Sequence, residues 1–406
     1  MKMRQWLMIA ICLTMGLCAA CAQAEEGEIV IPQFDDILQF RVPQNEAMAF
    51  VQDMRIGWNL GNTFDANFDS YNGNEMNIES AWCGVKTTEA MIEAIHAAGF
   101  NTLRIPVSWH NHVSGEDFAI SGQWLDRVEE VAGWALARDM YVILNIHHDV
   151  YPQYMYPSEE HYATAERYVA SIWRQLAERF AAYDEHLIFE SMNEPRLRGE
   201  DIEWYFDADN ARGLESAECI NRLNQVFVDT VRAGGGHNAD RYLMVPGYCA
   251  APGFACASYF RMPEDTAENR LIVSVHAYTP YSFALDMNGT DSFSAYGASS
   301  KREIANFMND LYKKYIANGT PVVIGEFGAM EKKGNLQDRV DFAALYIASA
   351  SARGMACCWW DNNLFKGNGE RFGLFDRKTC SWPYPELVDA MMQYAGYDQI
   401  PPRPEN

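Results

Sequence analysis

Residues 187–195 read Leu-Ile-Phe-Glu-Ser-Met-Asn-Glu-Pro, a short apolar run that ends in polar residues. Such a run is typical of a buried parallel strand, and polar residues at its carboxyl end are typical of the mouth of a β/α barrel. Seven further runs of this kind occur along the chain. Strands are therefore predicted at residues 55–60, 102–107, 141–146, 187–191, 242–246, 271–275, 321–324 and 355–360.

Amphipathic stretches separate most of these runs, with apolar residues spaced along one helical face. Helices are predicted at residues 87–98, 123–137, 163–182, 215–233, 300–318, 335–352 and 385–393, with 250–260 as a weak candidate after the fifth strand. Eight alternating strands and helices indicate one α/β domain, a single (β/α)8 TIM barrel. A doubly wound open sheet is the alternative, but residues 57–62 read GWNLGN and lack the glycine-rich phosphate loop.

The charge of the chain excludes two classes of partner. Its 406 residues carry 32 basic and 55 acidic side chains, a net charge of −23. A phosphate backbone or an anionic membrane surface requires a basic patch, and none is visible in the sequence. We therefore expect neither nucleic acid nor a membrane surface as a partner.

The first 24 residues read as a secretory signal peptide. Lys2 and Arg4 precede an apolar run too short to span a bilayer, and Ala22-Gln23-Ala24 provides small residues for cleavage. A lipoprotein anchored through Cys21 is the alternative. The remaining chain divides into a lead-in at 25–44, the barrel at 45–396 and a tail at 397–406.

Seven of the ten cysteines follow the signal segment, at positions 83, 219, 249, 256, 357, 358 and 380. Export permits disulfides, but an odd number leaves at least one thiol unpaired. No two of the seven have the CxxC spacing, so neither a zinc ribbon nor a redox motif is expected.

Two glutamates follow predicted strands directly. Glu194 comes after Asn193 at the end of the fourth strand, and Glu326 ends the seventh. In a barrel the carboxyl ends of all strands face one cleft. Two carboxyl groups about 5–5.5 Å apart perform retaining glycoside hydrolysis, one as acid/base and one as nucleophile. A salt-bridged strand end is the alternative for either residue alone, but the pair favours catalysis.

Other strand ends carry side chains that suit a sugar. Arg104 lies inside the apolar run TLRIP, and a buried guanidinium needs an anionic partner, which a catalytic glutamate would supply. Aromatic faces stack on the C–H surfaces of a sugar while polar tips bond its hydroxyls. Residues of these types end the third, sixth and eighth strands: His147, His148, Asp149, His276, Tyr278, Trp359 and Trp360.

These motifs resemble glycoside hydrolase family 5, and most closely its subfamily 4 of endo-β-1,4-glucanases. In chain order they are RIGWNLGNTFDA, NTLRIPVSWHNH, VILNIHHD, FESMNEPR, VSVHAYTPY, VVIGEFG and WWDNN, and they span about residues 47–394. One such motif alone would be weak, whereas seven in order are specific. The resemblance implies an endo-β-1,4-glucanase that cleaves internal bonds of a β-glucan polysaccharide and requires no cofactor.

The resemblance also implies catalytic roles. Glu194 would be the acid/base and Glu326 the nucleophile, with Arg104 and Tyr278 holding Glu326 ionised and oriented. A neighbouring cation favours the anionic nucleophile. The acid must hold a proton near neutral pH, so a raised pKa is expected for Glu194.

Four further residues would line the subsite of the sugar that is cleaved. Asn193 would bond its 2-hydroxyl, and His276 would set the protonation of Glu194. His147 and Trp360 would contact the same sugar; Trp360 is preferred over Trp359 because it directly precedes Asp361.

Substrate contacts are also expected on either side of that subsite. The resemblance implies that Asn62, Asp65 and His148 bind the next sugar on the non-reducing side. Beyond the cleavage point, Trp204 lies in a long insertion at residues 196–213, and long loops in compact folds are usually functional. We expect Trp204 to be an aromatic platform; a small local core under the loop is the alternative.

Metal binding is disfavoured. His110-Asn111-His112 has an HxH spacing, but it follows the second strand rather than the first, where metal-dependent hydrolase barrels carry it. A carbohydrate contact or a structural role is expected instead. His147 and His148 are also a poor ligand pair, because adjacent strand residues point to opposite faces.

Other functions stay open. Xyloglucan, mixed-linkage glucan or glucomannan are alternative preferred substrates, and a catalytically idle glycan-binding barrel or a metal-dependent amidohydrolase are alternatives from other classes. A monomer is expected.

Overall fold

The computed structural model describes residues 28–404 and confirms the predicted barrel. Eight parallel strands follow one another around a closed ring, and the first pairs with both the second and the last. The strands are β1 Ile56–Leu60, β2 Thr102–Ile105, β3 Tyr141–Asn145, β4 Leu187–Glu190, β5 Leu243–Pro246, β6 Leu271–His276, β7 Val322–Phe327 and β8 Ala356–Asp361.

Helices surround the ring. They are α1 Glu46–Met54, α2 Glu89–Ala97, α3 Gly122–Leu136, α4 Tyr162–Arg179, α5 Ala211–Arg232, α6 Pro252–Cys256, α7 Tyr281–Ala284, α8 Ala298–Lys314, α9 Leu336–Ser351 and α10 Pro385–Met392. Local capping sets several starts. The Asn210 side chain, for example, accepts the backbone N–H of Arg212 at 2.9 Å and so begins α5 four residues before the predicted start.

The weak helix predicted at residues 250–260 is wrong in extent, because α6 has only five residues. Cys249 and Ala250 have left-handed backbones, with φ of 55° and 49°, which keeps the helix from starting earlier. Pro252 then fixes the first turn, and Ala257 returns to an extended conformation.

The amino-terminal segment closes the bottom of the barrel. In α1, Phe50 stacks on Tyr242 at a centroid distance of 3.7 Å and meets the edge of Tyr141 at 5.0 Å. Before α1, the extended lead-in lies along the barrel, where the backbone N–H of Phe40 donates to Ala352 and the Tyr394 hydroxyl donates to Pro32. The bottom is thus packed, which leaves the opposite end for the functional site.

The predicted signal segment lies outside the described residues. Between residues 28 and 404 no helix has both the length and the apolar character of a membrane crossing. The seven cysteines of this part form no disulfide; Cys357 and Cys358 are buried in β8, whereas Cys380 is exposed.

Candidate active site

The two predicted glutamates lie together in the mouth of the barrel. Glu326 is part of β7, and Glu194 is in the segment that follows β4. A carboxylate oxygen of Glu194 lies within 4.8 Å of one from Glu326. The Glu194 side chain is 17% exposed and that of Glu326 is 7% exposed, so Glu194 is nearer to solvent.

Glu326 receives one donor on each carboxylate oxygen. Arg104 Nη1 donates to Oε1 at 2.8 Å, and the Tyr278 hydroxyl donates to Oε2 at 2.9 Å. Burial, reinforced by the charge of Glu326, raises the pKa of Tyr278 well above its usual value, so the phenol keeps its proton. This arrangement stabilises Glu326 as an oriented carboxylate.

Glu194 pairs with His276 instead. His276 Nδ1 lies 2.8 Å from Glu194 Oε1, and its Nε2 lies 3.3 Å from Arg104 Nη2. Because a guanidinium only donates, Nε2 accepts and the imidazole proton is on Nδ1. Glu194 Oε1 therefore accepts a hydrogen bond from His276.

The expectation of a raised pKa for Glu194 is not met. Burial raises the pKa of Glu194, but the hydrogen bond and charge of His276 outweigh burial and lower it below its usual value. Burial lowers the pKa of His276, whereas the charge of Glu326 and the hydrogen bond with Glu194 raise it overall. The protonation state of each group therefore depends on that of the other.

Asn193 is fixed through its oxygen. Arg104 Nη2 donates to Asn193 Oδ1 at 2.8 Å, which orients the amide. Within residues 28–404 no hydrogen bond uses Asn193 Nδ2, so its N–H groups remain for another acceptor.

Trp360 and His147 form one wall of the site. Their rings are parallel, 2° apart in angle and 5.9 Å apart between centroids. Gly61 leaves room for this indole, since a Cβ there would lie 2.9 Å from the Trp360 ring. Trp359, in contrast, is fully buried behind the strand. The structure thus brings Trp360 rather than Trp359 to the cleft.

The sequence of the barrel decides the family. Residues 62–366 match the family described as Cellulase (glycosyl hydrolase family 5). The chain belongs to glycoside hydrolase family 5.

Similar proteins agree with this assignment. A family 5 lichenase from a Caldicellulosiruptor species is 55% identical, with a TM-score of 0.89 over 90% of this chain and 99% of that one. Endoglucanase B of Ruminococcus albus is 44% identical over 87% of this chain and 81% of its own length. A subfamily 4 broad-specificity endoglucanase from Ruminococcus champanellensis, solved with cellotriose, is 42% identical, with a TM-score of 0.80 over 87% of this chain and 100% of that one. The resemblance seen in the motifs is confirmed, and this family 5 chain is a glycoside hydrolase of the endo-1,4-β-glucanase type.

The turn after β1 holds two predicted sugar contacts. Asn62 has a left-handed backbone with φ of 56°. Asp65 is fully buried, and its carboxylate accepts the backbone N–H groups of Asn62 and Thr63 at 3.0 and 2.7 Å. Burial raises the pKa of Asp65 to about 7, although the two N–H groups oppose this rise. Asp65 thus shapes the turn, and its contact with a sugar stays a prediction.

His147 and His148 do not point to opposite faces, contrary to the prediction. β3 ends at Asn145, so both histidines lie beyond the pleated part of the strand. Their ring centroids are 4.3 Å apart, and each ring has a nitrogen within 4.8 Å of an Asp65 carboxylate oxygen. Burial lowers the pKa of both, that of His148 to about 4, so both are neutral near pH 7. Neutral imidazoles in the cleft are suited to bonding hydroxyls.

Trp204 is exposed in the β4–α5 insertion. It is 61% exposed, and the guanidinium of Arg196 lies 4.0 Å from the centre of its ring. Arg196 also donates to the backbone carbonyl of Glu194 at 3.0 Å. The insertion does have a small core, but Phe206 forms it by packing against Phe254 at 4.7 Å. The local-core alternative therefore does not apply to Trp204.

His110 and His112 have structural partners. His110 Nδ1 lies 2.8 Å from Asp149, and His112 Nδ1 lies 3.0 Å from Glu75. The His112 ring also stacks on Trp124 at 3.6 Å. Of the two expected roles, these contacts support the structural one.

Three residues of the site were missed in the sequence. Asn59 accepts from Arg104 at 2.9 Å, and the fully buried Glu190 also bonds Arg104. Trp82 is 42% exposed and its ring lies 6.0 Å from His148. A polar residue within an apolar strand was the available signal for Asn59 and Glu190. For Trp82 the sequence offered only an unassigned tryptophan in a long loop.

Proposed function

We propose that this family 5 chain is a secreted, retaining endo-β-1,4-glucanase with Glu326 as nucleophile and Glu194 as acid/base. The observation that carries this proposal is the approach of their carboxylate oxygens to within 4.8 Å. Retaining enzymes hold the two groups about 5–5.5 Å apart, whereas inverting enzymes leave about 6.5–9.5 Å for a water molecule.

The partners of the two carboxylates support this division of roles. Arg104 and Tyr278 stabilise an anion at Glu326, which a nucleophile must be. His276 bonds Oε1 of Glu194 and leaves Oε2 to carry the acidic proton. When a sugar fills the cleft and excludes water, desolvation favours the protonated form of Glu194.

The reaction then has two steps. Glu326 attacks the anomeric carbon, the bond to the leaving oxygen breaks, and Glu194 gives its proton to that oxygen. In the second step Glu194 takes a proton from water, the hydroxide adds to the anomeric carbon, and the bond to Glu326 breaks. Two displacements at one carbon return the original β configuration.

The remaining predicted residues extend from this centre along the cleft. Asn193 has free N–H groups for the 2-hydroxyl, and the His147–Trp360 wall contacts the same sugar. On the non-reducing side, Asn62, Asp65 and His148 bind the next ring, with Trp82 beyond His148. Trp204 stacks on a sugar past the cleavage point. The guanidinium of Arg196 lies over the indole ring and orients it.

Mixed-linkage glucan is the second candidate for the preferred substrate. The specific observation in its favour is that the 55% identical relative is described as a lichenase. The relative from Ruminococcus champanellensis is described as broad in specificity, so xyloglucan and glucomannan belong in the comparison as well.

The proposal of export rests on the sequence of residues 1–24, with Cys21 as the lipid-anchored alternative. We also propose that the barrel domain covers residues 45–396 and acts as a monomer. The extended lead-in packs on the barrel through backbone and side-chain hydrogen bonds.

Reducing-sugar release from a polysaccharide panel tests the function. The panel contains carboxymethylcellulose, barley β-glucan, xyloglucan, glucomannan, mannan and xylan, with a chelator present and Glu326→Gln as control. We expect activity on β-1,4-glucans, unchanged by the chelator and lower by orders of magnitude in the variant. Near-normal activity of purified Glu326→Gln would rule out Glu326 as the nucleophile.

A further inference from the structure

Glu190 is a buried carboxylate beneath the two catalytic ones. It ends β4 and is fully buried. Its Oε2 accepts Arg104 Nε at 2.9 Å and Asn145 Nδ2 at 3.0 Å, and its Oε1 accepts the Ser274 hydroxyl at 2.5 Å. With charged or neutral donors on both oxygens, Glu190 is held as an anion.

Arg104 therefore lies between two carboxylates. Its Nη2 is 2.7 Å from Glu190 Oε2, and its Nη1 is 2.8 Å from Glu326 Oε1. One positive charge is thus shared by two negative ones, and the trio carries a net charge of −1. The side chains of Asn59 and Asn193 occupy other N–H groups of the guanidinium, so Arg104 has a single orientation.

We propose that Glu190 is a positioning residue that fixes Arg104 and limits the positive charge that Arg104 lends to the nucleophile. The inference rests on the proposed role of Glu326. If Arg104 paired with Glu326 alone, the carboxylate would be more stable and therefore a weaker nucleophile. Glu190 keeps Glu326 ionised and oriented without removing its reactivity.

Packing of the barrel interior does not require a carboxylate at position 190. The side chains of Ile143, Ile188 and Ile272 form the apolar layer of the barrel interior. A buried ion pair is often replaceable by apolar residues without loss of stability. The ionisable groups near Glu190 and Glu326 on the surrounding strands and loops are Arg104, His147, Glu194, His276, Tyr278, Cys358 and Glu370. Of these, Arg104 is the cation that bonds both carboxylates.

Covalent labelling of Glu326 tests whether the charge of Glu190 affects the nucleophile. The probe is 2,4-dinitrophenyl 2-deoxy-2-fluoro-β-cellobioside, whose leaving group needs no proton from Glu194, so the inactivation rate follows the ionisation of Glu326. The variants are Glu190→Gln, which keeps the shape and removes the charge, and Glu190→Asp, which keeps the charge. The rate is measured against pH, and the labelled peptide is identified by mass spectrometry.

For Glu190→Gln we expect the acidic limb of the rate profile to move at least half a pH unit lower, with a plateau rate at least tenfold lower. For Glu190→Asp we expect a lower rate with the limb in its wild-type position. A slow Glu190→Gln variant with an unmoved limb would overturn the proposal and leave Glu190 a structural residue. If Glu190→Gln does not fold, a displaced limb in Glu190→Asp would overturn it equally.

The outcome also separates this inference from the proposed function. A label on a residue other than Glu326 contradicts the nucleophile assignment itself. A label on Glu326 with identical limbs in all variants contradicts only the role of Glu190.

Discussion

As the proposed acid/base, Glu194 would have to protonate a poor leaving group, whereas a good leaving group departs without a proton. In Glu194→Ala we expect hydrolysis of carboxymethylcellulose to fall by orders of magnitude, while an aryl cellobioside with a dinitrophenyl leaving group still forms the intermediate. Added azide should then accelerate turnover and yield a β-cellobiosyl azide, because a small anion replaces the activated water. The product is checked by NMR. Lack of azide rescue in a folded variant would contradict the assignment.

We expect the buried imidazole of His112 to make the stability of the fold dependent on pH. Burial lowers the pKa of His112 to about 4, although Glu75 opposes the shift, whereas the unfolded residue titrates near 6.5. Between these values a falling pH protonates the unfolded chain but not the folded one, so stability is lost as the pH decreases from 6.5 to about 4.

The measurement is the melting temperature between pH 7 and pH 4.5. We expect His112→Gln to have a smaller decrease over this range than the wild type, despite a lower value at pH 7 from lost stacking on Trp124. His237→Gln, which alters an exposed histidine, is the control and should keep the wild-type slope. Equal slopes in all three proteins would exclude His112 as the source.

Residue by residue, the sequence identified side chains at strand ends better than those inside strands. Arg104 and the two glutamates could be found because they interrupt or end apolar runs. Glu190 interrupts such a run too, but the nearby Glu194 offered the more familiar chemistry. The directions of the His147 and His148 side chains could not be predicted, because they depend on where the pleated part of β3 ends, at Asn145.

In the β4–α5 insertion, we expect the loss of Trp204 to affect substrate binding but not stability. Trp204 is exposed and held by Arg196, and no apolar packing depends on it. We expect Trp204→Ala to reduce kcat/KM on polysaccharide at least fivefold and to change the melting temperature by less than about 2 °C. Tyr296→Ala removes a comparably exposed ring beside Phe34 on the lead-in and should leave kcat/KM unchanged. A large loss of stability with normal kinetics would make Trp204 a structural residue.

Among the elements, all eight strands of the barrel were predicted, whereas the bounds of the helices were predicted less accurately. A buried parallel strand is apolar on both faces, so its run is unmistakable in the sequence. The segment after β5 has apolar residues at helical spacing, but two left-handed residues and Pro252 shorten its helix to five residues. Such backbone conformations depend on packing and leave little trace in composition.

At the scale of the whole molecule, the lead-in is bound to the barrel as part of one packed unit. The centre of the Phe40 ring lies 4.3 and 4.5 Å from the guanidinium carbons of Arg353 and Arg403, and the ring meets Tyr312 edge-on at 4.9 Å. We expect Phe40→Ala to lower the free energy of unfolding by about 2 kcal/mol, by loss of apolar burial, with kcat/KM unchanged.

Denaturant unfolding and kinetics on barley β-glucan check this expectation. Val30→Ala is the control, because Val30 is 62% exposed and its loss should cost little. If Phe40→Ala were as stable as the wild type, the lead-in would be a loosely attached segment rather than part of the unit.

The retaining mechanism is the central claim, and the anomer released first by the enzyme tests it most directly. The measurement is proton NMR during hydrolysis of cellotetraose, with enough enzyme to cleave the substrate before the new reducing ends mutarotate. Glu326→Gln, run in parallel, is the control and should release no product on this timescale. The double displacement by Glu326 and Glu194 predicts that the β anomer appears first and the α anomer follows as mutarotation proceeds. Initial release of the α anomer would mean a single displacement by water and would contradict the account.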